Sequence, residues 1–103
     1  ISKSGTTVET FAIYKYIYSL HPLADAYTFI TDPDSPLETY ATHIGASVLH
    51  LPDNVGGRFS VLSTVGIIPL MLCGIDTEAL LNGAKQIKES FFHEGYMQNS
   101  LLH

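Results

Sequence analysis

Two short segments carry the side chains able to do chemistry. The first is Ser2-Lys3-Ser4-Gly5-Thr6-Thr7. It offers hydroxyls, an ammonium and a glycine turn at the point where a helix is predicted to begin. The first N–H groups of a helix lack partners within it, and the helix dipole places positive potential there, so such a point attracts anions. Ser and Thr hydroxyls add neutral donors suited to a phosphate. The pattern G-x-x-x-x-G-K-[ST] is absent, so a nucleotide is not implied. Taken alone, the segment reads equally well as an ordinary Ser/Thr-rich helix cap.

The second segment is Gly56-Gly57-Arg58-Phe59-Ser60. Paired glycines allow close approach of backbone to a ligand, or positive φ. Arg58 is a permanent cation with a fixed fork of donors. Beside a carbonyl, that guanidinium and neighbouring N–H groups would stabilise a developing oxyanion. Taken alone, a tight turn with a solvated Arg is slightly the better description.

These segments need a frame. Strand-like and helix-like stretches alternate, which predicts βαβ units, a parallel sheet and an α/β fold. Residues 1–4 read as a strand end. Thr6-Thr7-Val8-Glu9 reads as a capping box, with helix to about Leu20. That helix has two apolar faces, Phe11/Tyr14/Tyr18 and Ile13/Ile17/Leu20, so it is expected to be covered on most sides. Residues 26–31 read as a buried strand, followed by the turn Asp32-Pro33-Asp34. Ser35-Pro36-Leu37-Glu38 is a second capping box, its Pro36 at the first helical position, and Gly45 is placed just past that helix. Residues 47–51 form the next strand and 52–58 the loop after it. A helix is predicted over about 60–73, kinked or tightly packed at Gly66 and Pro69. A last helix, 77 to about 92, is capped by Asp76. Residues 95–103 show no clear period. In open parallel sheets ligands bind beyond the carboxyl ends of the strands, where both chemistry-bearing segments fall.

Composition sets bounds. The chain has 103 residues, 46% hydrophobic and only 15% charged, with net charge −5. Its length suits one domain, which buries about 60–68% of the surface of its unfolded chain. So little charge, together with a first residue inside a strand end, leads to the expectation that the 103 residues are part of something larger, exposing sheet edge and apolar surface when isolated. No Lys/Arg run offers a patch for nucleic acid. The single Cys73, in an apolar run, excludes an internal disulfide; it favours a reducing, cytoplasmic compartment and is expected to be a buried spectator. No signal peptide is recognised, and the apolar run 65–75 is shorter than the ~20 residues of a membrane span.

Ile-Ser-Lys-Ser-Gly-Thr-Thr-Val-Glu-Thr and Asp-Asn-Val-Gly-Gly-Arg-Phe-Ser-Val-Leu-Ser-Thr-Val-Gly-Ile-Ile-Pro closely resemble two blocks of the glucose-6-phosphate isomerase (phosphoglucose isomerase) family, bacterial type, in order and separation. The resemblance runs from Ile1 to about Phe92. It is most specific in the second block; the first is shared with other sugar isomerase (SIS) domains. It implies a three-layer α/β sandwich with a parallel sheet, SIS or flavodoxin-like and doubly wound, of which residues 1–103 would be an incomplete, single-domain fragment. It implies that Ser2, Lys3, Ser4 and Thr7, with Thr6 in the same loop, hold a sugar phosphate. Gly56 and Gly57 would approach the substrate through backbone, and Arg58 would steady a cis-enediolate between C1 and C2. The implied reaction interconverts glucose 6-phosphate and fructose 6-phosphate, in glycolysis and gluconeogenesis, with no metal or other cofactor, in a cytoplasmic homodimer that meets neither nucleic acid nor membrane.

The family's catalytic glutamate stands in a Glu-Gly-Arg setting. Here Glu94-Gly95 is followed by Tyr96, and the base is not assigned to Glu94. The resemblance places the ring-opening histidine, a C-terminal lysine and an earlier glycine-serine phosphate loop outside these residues, so the isolated chain is expected to be inactive. Two alternatives remain: a non-catalytic SIS module that senses a sugar phosphate, and the isomerase half of an amidotransferase making glucosamine 6-phosphate. A zinc-protease motif at His93-Glu94 would need a histidine where Met97 stands. His21, His43, His50, His93 and His103 have no ligand spacing. Asp32, Asp34 and Asp53 read as turn residues, with Asp53 a candidate to orient the Arg58 loop. Tyr14, Tyr16 and Tyr18 read as helix packing.

Overall fold

In the computed structural model, residues 1–93 and Gly95 are described. The expectations for Glu94, Tyr96, Met97, His103 and the tail lie outside the described residues. The chain divides into two units, Ile1–Gly66 and Ile67–His103.

In the first unit, α1 is Val8–Leu20, β1 is Thr28–Thr31, α2 is Pro36–Ile44 and β2 is Ser47–His50. β1 and β2 pair in parallel, Thr28 opposite Ser47 and Thr31 opposite His50. This is the α/β class with a parallel sheet that the alternation of elements predicts. β1 is shorter than expected, because residues 24–26 form a 3-10 turn whose last N–H bond, Tyr27 to Ala24 C=O, is local. The first residues lie along β1 on the side away from β2. The Ser2 N–H donates to Ile30 C=O at 3.0 Å, and the Asp32 N–H to Lys3 C=O at 2.8 Å. Meanwhile the Leu51 N–H donates to Thr31 C=O at 3.2 Å. β1 is thus flanked by backbone partners on both edges at its carboxyl end.

The core is small. Phe29, Leu37 and Ala41 are buried together, with Phe11, Tyr14, Tyr40 and Val48 packed around them. Leu37 and Ala41 are one helical turn apart, so both point from α2 to the sheet. Burying a Phe or Leu side chain contributes about 1.5–3 kcal/mol. Tyr14 is the hub of an aromatic cluster, its ring 5.2–5.7 Å from those of Phe29, Tyr18, Tyr27 and Tyr40. The Phe11/Tyr14/Tyr18 face of α1 therefore covers the sheet. Its other face does not behave as expected: Ile13, Ile17 and Leu20 are 62%, 42% and 58% exposed.

Ser35 caps α2 as the pattern requires. Its Oγ accepts the Glu38 N–H at 3.1 Å. Gly45, at φ 76°, ends the helix in the left-handed region. The predicted helix at 60–73 begins later, as α3, Thr64–Leu72. The preceding residues form a 3-10 turn, Gly57–Phe59, followed by two serine back-bonds: Ser60 Oγ donates to Gly57 C=O and Ser63 Oγ to Ser60 C=O. The Ser60 and Ser63 N–H groups bond to the same two carbonyls, so this stretch forms turns with side-chain back-bonds ahead of α3.

In the second unit, α4 is Thr77–His93, and Asp76 caps it, Oδ1 accepting the Ala79 N–H at 3.0 Å. Cys73 is exposed, not buried. It sits just past the end of α3, beside Leu72, which is 83% exposed. Apolar neighbours in sequence do not by themselves cover a residue at a helix end. Among the described residues no helix is long and apolar enough to cross a membrane.

Candidate anion-binding site

The site lies within the first unit. Parallel pairing puts the ends of β1 and β2, and the end of the Ser2-Lys3 segment, at one edge of the sheet. The loop 4–7 leaves from that edge into α1, and the loop 51–58 leaves from the same edge.

The first loop closes on itself. The Gly5 N–H donates to Ser2 C=O at 3.2 Å, and Gly5 takes φ 67°. Ser2 is buried and its Oγ donates to Thr7 Oγ1 at 3.1 Å. Ser4 and Thr6, both exposed, share a hydroxyl bond of 2.8 Å, and Ser4 Oγ also accepts the Thr6 N–H. The capping box expected here does not form. Thr7, not Thr6, is the N-cap of α1, and no side chain accepts from the first turn of the helix. The contrast with Ser35 is instructive, since both helices follow a serine- or threonine-led pattern. At α2 the hydroxyl satisfies the helix. At α1 it is held by Ser2, and the helix N-terminus has no side-chain cap. Uncapped N–H groups that follow a hydroxyl-rich loop form an arrangement that an anion can complete.

Lys3 is fixed at both ends. Its backbone C=O accepts from the Asp32 N–H and, at 3.2 Å, from Thr31 Oγ1. Its ammonium donates to both Asp32 oxygens, at 2.9 and 2.8 Å. The two side chains are 27% and 29% exposed. Asp32 is thus more than a turn residue. The signal in the sequence is its place, the first residue past a parallel strand at the ligand edge; nothing local names a partner 29 positions away.

The second loop reaches the first. A methyl built on Gly57 would stand 3.9 Å from Lys3 Cδ, so the loop backbone lies against the lysine stem. Gly56 lies beside the Phe59 ring. Arg58 is exposed and, among the described residues, makes no hydrogen bond or ion pair; Asp53 does not engage it. The structure therefore brings Lys3 and Gly57 together, pairs Ser2 with Thr7 and Ser4 with Thr6, and leaves Arg58 available beside them in the chain.

A parallel α/β frame with two glycine-bearing loops at the carboxyl edge of its strands is that of a ligand-binding α/β domain. The phosphoglucose isomerase family model matches residues 42–102. A glucose-6-phosphate isomerase from Campylobacter jejuni is 43% identical over 97 residues, 89% of this chain and 24% of that protein. A glucose-6-phosphate isomerase from Thermus thermophilus is 39% identical over 97 residues, 87% of this chain and 23% of that protein. Among solved structures, the hypothetical protein TT0462, also from Thermus thermophilus, superposes with a TM-score of 0.83 at 34% identity, over 97% of this chain and 26% of that one. The chain belongs to the phosphoglucose isomerase family, and it spans about a quarter of the length of the curated relatives it matches.

Proposed function

We propose that this chain supplies the phosphate anchor and the charge-stabilising Arg of a glucose-6-phosphate isomerase, an aldose–ketose isomerase acting in glycolysis and gluconeogenesis. The observation that carries the reading is the N-terminus of α1, which has no side-chain cap and directly follows the Ser4/Thr6 hydroxyl pair in the chain, with Gly57 packed on Lys3.

The reaction moves a proton between C2 and C1 through an enediolate. It needs a base, a stabiliser for the developing oxyanion and an anchor that fixes the substrate. The phosphate is remote from the reacting carbons, so energy gained by holding it orients them. Ser4, Thr6, Thr7 and the first N–H groups of α1 are assigned to the phosphate, with Lys3 supplying positive charge and Ser2 holding Thr7 in place. Gly56 and Gly57 give the substrate access to backbone. Arg58, unpaired among the described residues and following them directly, is assigned to the enediolate oxygen. The base is assigned to none of the described residues.

On this reading both units belong to one SIS domain in a three-layer sandwich, and the whole protein is a cytoplasmic homodimer needing no cofactor. The test is replacement of Arg58 with Ala in the full-length protein. A stabiliser of this kind contributes about 10²–10³ in kcat. Loss of only a fewfold would count against the assignment.

A further inference from the structure

Resting on the phosphate reading above, we infer that Asp32 is the resident counter-ion of the anion site: Lys3 exchanges it, in part, for the phosphate, and Asp32 thereby sets the affinity of the site. Lys3 is the one cation in the segment 2–7, and its charge is balanced by a carboxylate at 2.8 and 2.9 Å. An ammonium has three protons. Two are directed at the Asp32 oxygens, so one remains for an incoming oxygen without breaking the pair.

The surroundings make exchange easier than escape. The Lys3 stem lies against Gly57 and its C=O is held by the Asp32 N–H and Thr31 Oγ1, so the ammonium can pivot but not leave. Both side chains are about a quarter exposed, which leaves the pair partly desolvated and the attraction only partly screened. A phosphate ester with two charges competes with the carboxylate for Lys3, while the carboxylate repels it. Singly charged anions compete poorly. Asp32 therefore lowers affinity for anions in general and keeps the site from saturating with small ones.

The test uses the full-length protein with inorganic phosphate as probe, titrated calorimetrically at fixed ionic strength. Asp32→Asn keeps the side-chain shape and the backbone bond to Lys3. It is expected to bind phosphate about tenfold more tightly, with a gain that shrinks as salt rises. Lys3→Ala is expected to weaken phosphate binding, and the double variant to show no gain over it. If Asp32→Asn leaves affinity unchanged or weakens it while Lys3→Ala still weakens it, the counter-ion role is overturned and the phosphate site stands. If Lys3→Ala has no effect, the phosphate reading itself fails. Should Asp32→Asn not fold, Asp32→Ser decides the same question, because it also removes the charge and keeps the N–H.

Discussion

The Tyr14 and Tyr40 hydroxyls share a hydrogen bond of 3.0 Å, joining α1 to α2 over the ring of Phe29. Burial pushes the Tyr14 phenol well above its ordinary range, and the bond to Tyr40 pushes it further the same way. The folded state thus holds that proton more tightly than the unfolded one. This contribution to stability is complete below the ordinary phenol range near pH 10 and is lost as pH rises through the folded value. Tyr14→Phe is expected to lower stability by about 1 kcal/mol in urea unfolding, through the stranded Tyr40 hydroxyl. It should also flatten the alkaline decline, and an unchanged decline would contradict the assignment.

Glu38 gives the opposite dependence. Hydrogen bonds from the His50 ring and from the Asp34 N–H hold its carboxyl below the usual carboxylate range. A depressed carboxylate adds stability above its unfolded pKa and loses it as pH falls through the folded value. Thermal midpoints measured from neutral to acidic pH should fall more steeply for the native chain than for Glu38→Gln. The geometry also ties the start of α2 to the end of β2, so Glu38→Gln is expected to disturb the 51–58 loop.

Gly66 has no room for a side chain. An added Cβ would stand 1.9 Å from the Val61 carbonyl oxygen, which belongs to the backbone and cannot swing aside. On helix propensity alone, Gly66→Ala within α3 would gain about 1 kcal/mol. The contact reverses the sign, with an expected loss of about 1–3 kcal/mol. A variant that melts higher than the native chain would show that the contact is absent.

Arg58 should matter for turnover and not for folding. It is exposed and, among the described residues, has no bonded partner, so Arg58→Ala is expected to leave the thermal midpoint within about 1–2 °C, consistent with the small effect of surface substitutions. A large drop would mean that its guanidinium supports the fold and would complicate any kinetic reading.

Much of this was legible from local pattern. Ser35, Pro36 and Gly45 mark α2 because cap and stop chemistry is short-range, and the alternation of strand and helix yields parallel pairing. What was not legible depended on competing partners that the local pattern does not name. Thr6 to Glu9 has the same capping pattern as Ser35 to Glu38, yet the Thr6 hydroxyl pairs with Ser4, and Thr7, the N-cap actually used, receives the Ser2 hydroxyl. The partner of Asp32 lies 29 positions earlier, on the segment that runs beside β1. Apolar residues around Cys73 suggested burial, while the structure leaves its neighbour Leu72 83% exposed. For the site, residue types were readable, but not that Gly57 would meet Lys3.

Gly5 has a consequence for anyone altering this chain. A methyl there would stand 2.7 Å from Ser35 Cβ, besides straining a backbone at φ 67°. The hydroxyl loop and the start of α2 are therefore mated surfaces, and substitutions at 5 and 35 will be epistatic. Bulk added at position 35 would be felt 30 residues earlier, as a loop displaced from the ligand edge, so libraries that vary one position must vary both.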